Sequence, residues 1–382
     1  MRMTIPQSIL AKTLGNMLQV VEKKSVIPAL GCVLIEANSD GKVLLSVCDL
    51  DILLKAEIAA EVALPGKIVV QAHLLNDIVR KSSADQNFGF QVDYEERRLT
   101  LKFGRSKFRL PVLDAEDFPV MSPANDMVEF PIRAGVLQRM LYKSAICMST
   151  EETRYYLNGV FLTQHRNTAT NITTLRAVAT DSHRMAIVDS EMPAGAENAA
   201  PVIVPRKTVG IMSKLLSVAN DEEVVSLSVN ETKVLLKVGE MTLLSKAVDA
   251  KFPNYIQVVN LKTERAVFNL KVDEMAAAVG RVTTISDERT RLVDLKFAEG
   301  AVNIFMRGQG NSEAVEVIDL LDASNQKEAA ITFNSRYLSD LMDRMSEKGD
   351  LSIGIINDAA PCHLQELSDP DTLYILMPCR AA

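Results

Sequence analysis

The run Thr180-Asp181-Ser182-His183-Arg184 sets an acid, a hydroxyl and an imidazole side by side. These are the side-chain types that elsewhere make a nucleophile, its base and the group orienting that base. The spacing does not suit this chemistry. Residues 175–179 before the run and 185–188 after it read as strands, so the run is a strand or a tight turn between strands. On a strand Asp181 and His183 share one face and Ser182 points to the other, so the hydroxyl does not reach its base. His183 then reads as a satisfied histidine beside a strand or as part of a binding surface. An enzyme using Asp181 or His183 is the weakest of three readings.

Other chemistry is sparse. The chain has no GxxxxGK[ST] or GxGxxG loop to cradle phosphate and no HExxH motif, and only four histidines are present to ligate a metal. Cys32, Cys48, Cys147, Cys362 and Cys379 are scattered without a CxxC pair, the pattern of buried or incidental thiols, not of a disulfide framework or zinc site. No cofactor or metal is expected. There is no apolar leader and no stretch near the roughly 20 apolar residues of a membrane span, so a cytoplasmic protein without a membrane partner is expected.

The elements that must position these residues come from an internal repeat. At 382 residues the chain is long enough for two or three domains, with cores of Leu, Val, Ile and Met in the absence of Trp. Residues 69–75, 203–209 and 332–338 each read as a short apolar strand, a break and an amphipathic helix, with starts about 130 residues apart. Residues 3–6, 130–132 and 268–270 likewise lead into helices. Thr4-Ile5-Pro6-Gln7 has the form of a capping box, with Leu10, Leu14, Leu18 and Val21 on one face of the helix after it. Val136, Met140 and Leu141 do that job in the second repeat, and Val272, Met275, Ala276 and Val279 in the third. Phe118-Pro119 and Phe252-Pro253 lead out of the first two units into linkers at 119–127 and 253–264. Between these landmarks lie alternating strands and turns, so each unit is an α+β module.

The net charge is −7, from 42 Lys and Arg against 49 Asp and Glu. That sum counts against tight nucleic-acid binding unless the cations cluster. The predicted helices do carry cations: Lys12, Arg139, Lys143, Lys271 and Arg281 on the first of each pair, and Arg80, Lys81, Arg206, Lys207, Lys214, Arg336 and Arg344 on the second. Acidic clusters fall in turns, at Glu95-Glu96, Glu151-Glu152 and Asp221-Glu222-Glu223. Helices lining one concave surface would make it basic and give sequence-blind phosphate contact; the plainer reading is that Lys and Arg solvate helix faces.

Residues 154–159 (Arg-Tyr-Tyr-Leu-Asn-Gly), 178–184, 202–207, 251–255 and the terminal Met377-Pro378-Cys379-Arg380 resemble the bacterial DNA polymerase III β subunit family, the sliding clamps, in order and spacing over essentially the whole chain. The resemblance implies three repeated DNA-clamp domains, at 1–122, 128–256 and 262–382, each with two helices packed on antiparallel sheets. Two chains would close head to tail as a homodimer ring around double-stranded DNA. The function implied is to tether the replicative polymerase and other partners for processivity, with no catalysis.

The family's DNA contacts carry over onto Lys24, His73, Tyr155 and Tyr156. His73 stands where a basic residue is usual, and Glu151 beside the Arg-Tyr-Tyr motif should not attract phosphate. The resemblance also implies a groove for short apolar peptides of the replicative polymerase, clamp loader and repair polymerases. Its members by position are Leu157, Thr180, Ser182, His183, Arg184, Met185, Pro253, Val258, Tyr337, Pro361, Ile375, Met377, Pro378 and Arg380. An aliphatic, Met-containing pocket adapts to many partners. Ser182 replaces a Gly, Cys379 a bulkier apolar residue, and Pro361 a small polar one, which bears on peptide preference. The competing reading is a peptide-binding repeat scaffold that does not encircle DNA.

Overall fold

Strand hands directly to helix at each landmark of the repeat. Arg2–Pro6 leads into α1 (Gln7–Met17), Gly66–Gln71 into α2 (Ala72–Arg80), Val128–Arg133 into α3 (Ala134–Ala145) and Val202–Pro205 into α4 (Arg206–Leu216). A one-turn α5 (Ile256–Val259) lies in the second linker, and Ala266–Lys271 and Ala329–Asn334 lead into α6 (Val272–Val282) and α7 (Ser335–Met342). The computed structural model describes residues 1–23, 26–167, 170–259, 263–286, 291–325 and 327–379.

Prolines mark two of these switches. Pro6 (φ −62°, ψ 138°) and Pro205 (φ −61°, ψ 149°) are the N-caps of α1 and α4. Proline has no N–H to give a neighbouring strand, and its fixed φ suits the turn into a helix. The expected capping box is therefore not formed. Thr4 lies in the strand, opposite Gly89, and Gln7 Nε2 donates to Val79 O of α2 at 2.9 Å. Asn334 does cap its helix, its side chain accepting from the amides of Arg336 and Tyr337.

The buried faces follow the i, i+3, i+4 stripe with small shifts from expectation. Leu10, Leu14 and Met17 are buried in α1, with Leu18 only half-buried at its end. In α3 Leu137, Met140 and Leu141 are buried and Val136 sits on the border; in α6 Ala278 takes the place expected of Ala276. Cys32, Cys48, Cys147 and Cys362 are buried free thiols, and burial pushes Cys362 up to about 12.

The residues form two units, Met1–Gln138 with Pro193–Ala247 and Arg139–Met192 with Val248–Ala382. In the first, a five-stranded sheet runs Glu61–Leu64, Arg2–Pro6, Asn87–Asp93, Arg98–Phe103, Ser106–Pro111. An eight-stranded one runs Val128–Arg133, Val224–Val229, Lys233–Val238, Met241–Lys246, Ile52–Ala59, Lys42–Cys48, Cys32–Ala37, Gly66–Gln71. It joins two repeats where Leu243 faces Leu54 and Leu244 faces Leu53.

In the second unit the strands run Gly159–Arg166, Thr173–Thr180, Arg184–Glu191, Thr372–Leu376, Cys362–Glu366, Asp350–Ile355, Ala266–Lys271. A four-stranded sheet runs Glu313–Asp319, Ala301–Arg307, Leu292–Ala298, Ala329–Asn334. Here the repeats join where Met185 faces Ile375 and Ile187 faces Leu373. Pairing across repeats satisfies edges that would otherwise be open to another chain. Among the described residues no helix is long and apolar enough to cross a membrane.

Candidate functional site

The run at 180–184 is a hairpin turn between Thr173–Thr180 and Arg184–Glu191, not a strand. Ser182 has φ 76°, so the alternation of a strand does not extend through it. The turn occupies the groups a triad would need. Asp181 Oδ1 accepts from the amides of His183 and Arg184 at 2.9 Å each, and Oδ2 from Arg184 Nε at 3.0 Å. Ser182 Oγ accepts from Arg154 Nη1 at 3.0 Å. His183 stacks on Tyr337, ring centres 5.7 Å apart. A left-handed φ strains any residue but glycine by about 1 kcal/mol, which explains why glycine suits this position and what Ser182 tolerates there.

Arg184 ties the turn to α7. Its guanidinium is buried, donates to Asp340 Oδ2 at 2.7 Å and lies 4.6 Å from the centre of the Tyr337 ring. Burial alone would weaken its charge, but Asp340 and Asp181 outweigh that and raise its pKa. Tyr337 is placed by the Asn334 cap, and Asp340 follows it by three residues on the same helix face. Asp340 and Arg154 are the neighbours of the candidate site that motif reading missed. The i, i+3 spacing to Tyr337 was the available signal for Asp340.

The chain after Thr372–Leu376 completes the site. Met377 N donates to His183 O and Cys379 N to Thr332 O, both at 2.8 Å, so Met377-Pro378 bridges the hairpin and the strand entering α7. Met185 and Ile375 are opposite one another, and Pro361 precedes Cys362, which faces Leu376. Thr180 Oγ1 donates to Arg184 O at 2.8 Å. Pro253 follows Phe252, whose ring stacks at 4.7 Å on Phe161, opposite Val178. Val258 donates its amide to Tyr255 O, and the Leu157 carbonyl accepts from Ser149 N. Direct contact therefore joins Thr180, Ser182, His183, Arg184, Met185, Tyr337, Ile375 and Met377, with Pro378 following Met377 in the chain. Leu157, Pro253, Val258 and Pro361 connect through neighbouring elements. Arg380 lies outside the described residues. Aromatic and thioether surface beside backbone polar groups suits a short extended chain.

Of the DNA-directed residues, Lys24 lies outside the described residues. His73 is half-buried in α2, its Nε2 enclosed without a hydrogen-bond partner among the described residues, and it lines a cavity of about 330 Å³ with Glu22, Lys23 and Gln71. Tyr155 is 55% exposed, and Tyr156 meets it edge to face at 6.0 Å. Glu151 is paired with Arg154 at 3.2 Å, which offsets its charge. The basic helix faces are thinner than the sequence implies. Arg139, Lys143, Lys207, Lys271 and Arg281 have carboxylate partners, and Arg344 lies over the Tyr142 ring. Lys12, Arg80, Lys81 and Arg336 are exposed and form no ion pair among the described residues.

Repeated α+β modules are joined through shared sheets, and at one junction the 180–184 hairpin, α7 and residues 377–379 come together. Family models match the chain in three parts: DNA polymerase III beta subunit N-terminal domain at residues 1–122, central domain at 131–254 and C-terminal domain at 262–380. The beta sliding clamp of Caulobacter vibrioides is 37% identical over 382 residues, covering 100% of both chains. A crystal structure of the Caulobacter crescentus clamp, with polyethylene glycol in its proposed beta-motif tethering region, superimposes with a TM-score of 0.93 at 35% identity, covering 100% of this chain and 99% of that one. A clamp from Bartonella birtlesii bound to griselimycin gives a TM-score of 0.92 at 34% identity and full coverage of both chains. The chain belongs to the DNA polymerase III beta subunit family. Its function is that of a DNA sliding clamp, which tethers the polymerase for processivity and catalyses no reaction itself.

Proposed function

We propose that the surface between the 180–184 hairpin, α7 and residues 377–379 is the groove that takes short apolar peptides from the replicative polymerase, clamp loader and repair polymerases. The observation that carries this is the bond from Met377 N to His183 O beside a Tyr337 ring stacked on His183 and faced by Arg184. A ring fixed by a helix cap and a buried ion pair is a prearranged apolar anchor, which is how a small interface gains affinity. Leu157, Thr180, Ser182, Met185, Pro253, Val258, Pro361, Ile375, Pro378 and Arg380 complete the groove in this reading.

Two such chains close head to tail around duplex DNA, in the cytoplasm and without a cofactor, with domain limits at 1–122, 128–256 and 262–382. Lys24, His73, Tyr155 and Tyr156 face the DNA. The few unpaired helix cations supply weak, sequence-blind attraction, and encirclement supplies residence; tight phosphate binding would oppose sliding. The griselimycin held by the Bartonella clamp serves as a probe of the groove. Tyr337→Ala should weaken its binding by about tenfold or more, the cost of losing a central aromatic anchor. Unchanged affinity by calorimetry would contradict this placement of the groove.

A further inference from the structure

The first unit contains a second copy of the hairpin on which the groove is built. Asp49 Oδ1 accepts from the amides of Asp51 and Ile52 at 3.0 and 2.6 Å, as Asp181 does from His183 and Arg184. Leu50 has φ 77° against 76° for Ser182, and its amide bonds Cys48 Sγ as the Ser182 amide bonds Thr180 Oγ1. Lys246 N donates to Asp51 O at 2.8 Å, as Met377 N does to His183 O. Leu53 faces Leu244 as Met185 faces Ile375. The backbone of the groove is thus present at both junctions.

What differs is the linker. Counted from the Phe-Pro pair, Met121 corresponds to Tyr255. Met121 lies against the base of the first hairpin, its Sδ 3.7 Å from Cys48 Sγ, and packs on the cluster of Cys48, Leu53, Phe118 and Leu244. Its linker is pinned by Lys233 Nζ to Ser122 O at 2.6 Å and by Asn230 to Asp126 at 2.8 Å. Tyr255 instead bonds Arg176, four residues before Thr180, and Arg176 is held by Asp189. The equivalent side chain is thus held by Arg176. Beside Met121 lies a cavity of about 460 Å³, lined by Leu53, Phe118 and Ser46, whose buried Oγ has no hydrogen-bond partner among the described residues.

We propose that the first junction is a second apolar-peptide site held shut by the chain's own linker, residues 119–127, with Met121 as the plug, so that each chain offers one open groove. This rests on the groove reading above and adds its valency. Thr208 stands where Tyr337 stands in the open site and is buried against Ser245, so the uncovered site lacks an aromatic anchor.

Calorimetric titration of the full chain with griselimycin tests it. The wild type and Met121→Leu should bind one molecule per chain. Met121→Ala should bind a second, weaker by about tenfold or more for want of the ring. That second event should survive removal of residues 377–382, whereas the first should not. A folded Met121→Ala protein, with its thermal melt intact, that still binds one molecule overturns the plug and leaves the groove standing. Wild-type binding that is indifferent to residues 377–382 overturns the groove reading itself. Should Met121→Ala fail to fold, Asn230→Ala with Lys233→Ala loosens the same linker without altering Met121 and must give the same second event, its absence counting against the plug.

Discussion

A chain ending at Leu376 is expected to lose all stimulation of its polymerase while keeping the oligomeric state of the intact protein. Residues 377–379 are held by two backbone bonds, Met377 N to His183 O and Cys379 N to Thr332 O. The strand that locks the sheet, Thr372–Leu376, ends before them, with Tyr374, Ile375 and Leu376 almost wholly buried. Removing the tail therefore takes away one wall of the groove and leaves the sheet register intact. Primer-extension assays should fall to the level measured without clamp, and light scattering should show the oligomer unchanged. Stimulation retained by the shortened chain would place the docking surface elsewhere.

Lys143→Met should destabilise the second unit by about 3 kcal/mol, because removing one partner of a buried ion pair strands the other charge. Lys143 Nζ lies 2.5 Å from Asp369 Oδ2 and 3.4 Å from Glu366 Oε2, with side-chain exposures of 14%, 17% and 3%. Arg139 adds bonds to Asp369 and Thr372. For a unit of this size the loss is about 10 °C in melting temperature.

The same cluster predicts a response to acid. Burial alone would raise both carboxyls, but hydrogen bonds from Ser346 and Ser368 to Glu366, from Lys143 and Thr372 to Asp369, and the charge of Lys143 outweigh it, so both titrate below their ordinary values. A folded value below the unfolded one gives stability that is fully present above about pH 4 and is lost as pH falls through the folded value. The wild type should hold its melting temperature down to about pH 4. Lys143→Met should lose less than the wild type on acidification, since with burial less opposed the carboxylates are already destabilising at neutral pH and protonation relieves them. Equal melting curves at neutral pH would contradict the role of the cluster.

The repeat was legible because each unit switches from strand to helix at the same kind of boundary, with Pro6 and Pro205 written into it. The Thr4-x-x-Gln7 pattern misled because Pro6 carries the strand up to the helix, and Gln7 then serves α2 instead of its own N-terminus. The 180–184 hairpin was half-legible. Its flanking strands show in the sequence, but the carboxylate folded back on two amides is a property of the turn. The two hairpins share little beyond Asp49 and Asp181 in corresponding places; their likeness resides in φ angles and hydrogen bonds, which side-chain types do not reveal. Charge was legible as a count and not as a surface. Arg139 and Lys143 find partners about 230 positions away, at a separation no local pattern reports.

Retention on DNA of different topology tests the ring most directly. The chain, loaded on nicked circular duplex and passed over a sizing column in moderate salt, should remain with the circle and be lost when one restriction cut linearises it. That loss follows if residence comes from encirclement, since the net charge of −7 and the paired helix cations leave little attraction to hold an open scaffold. Equal retention on circle and line, falling together as salt rises, would mean that surface contact alone binds the DNA and would contradict the ring.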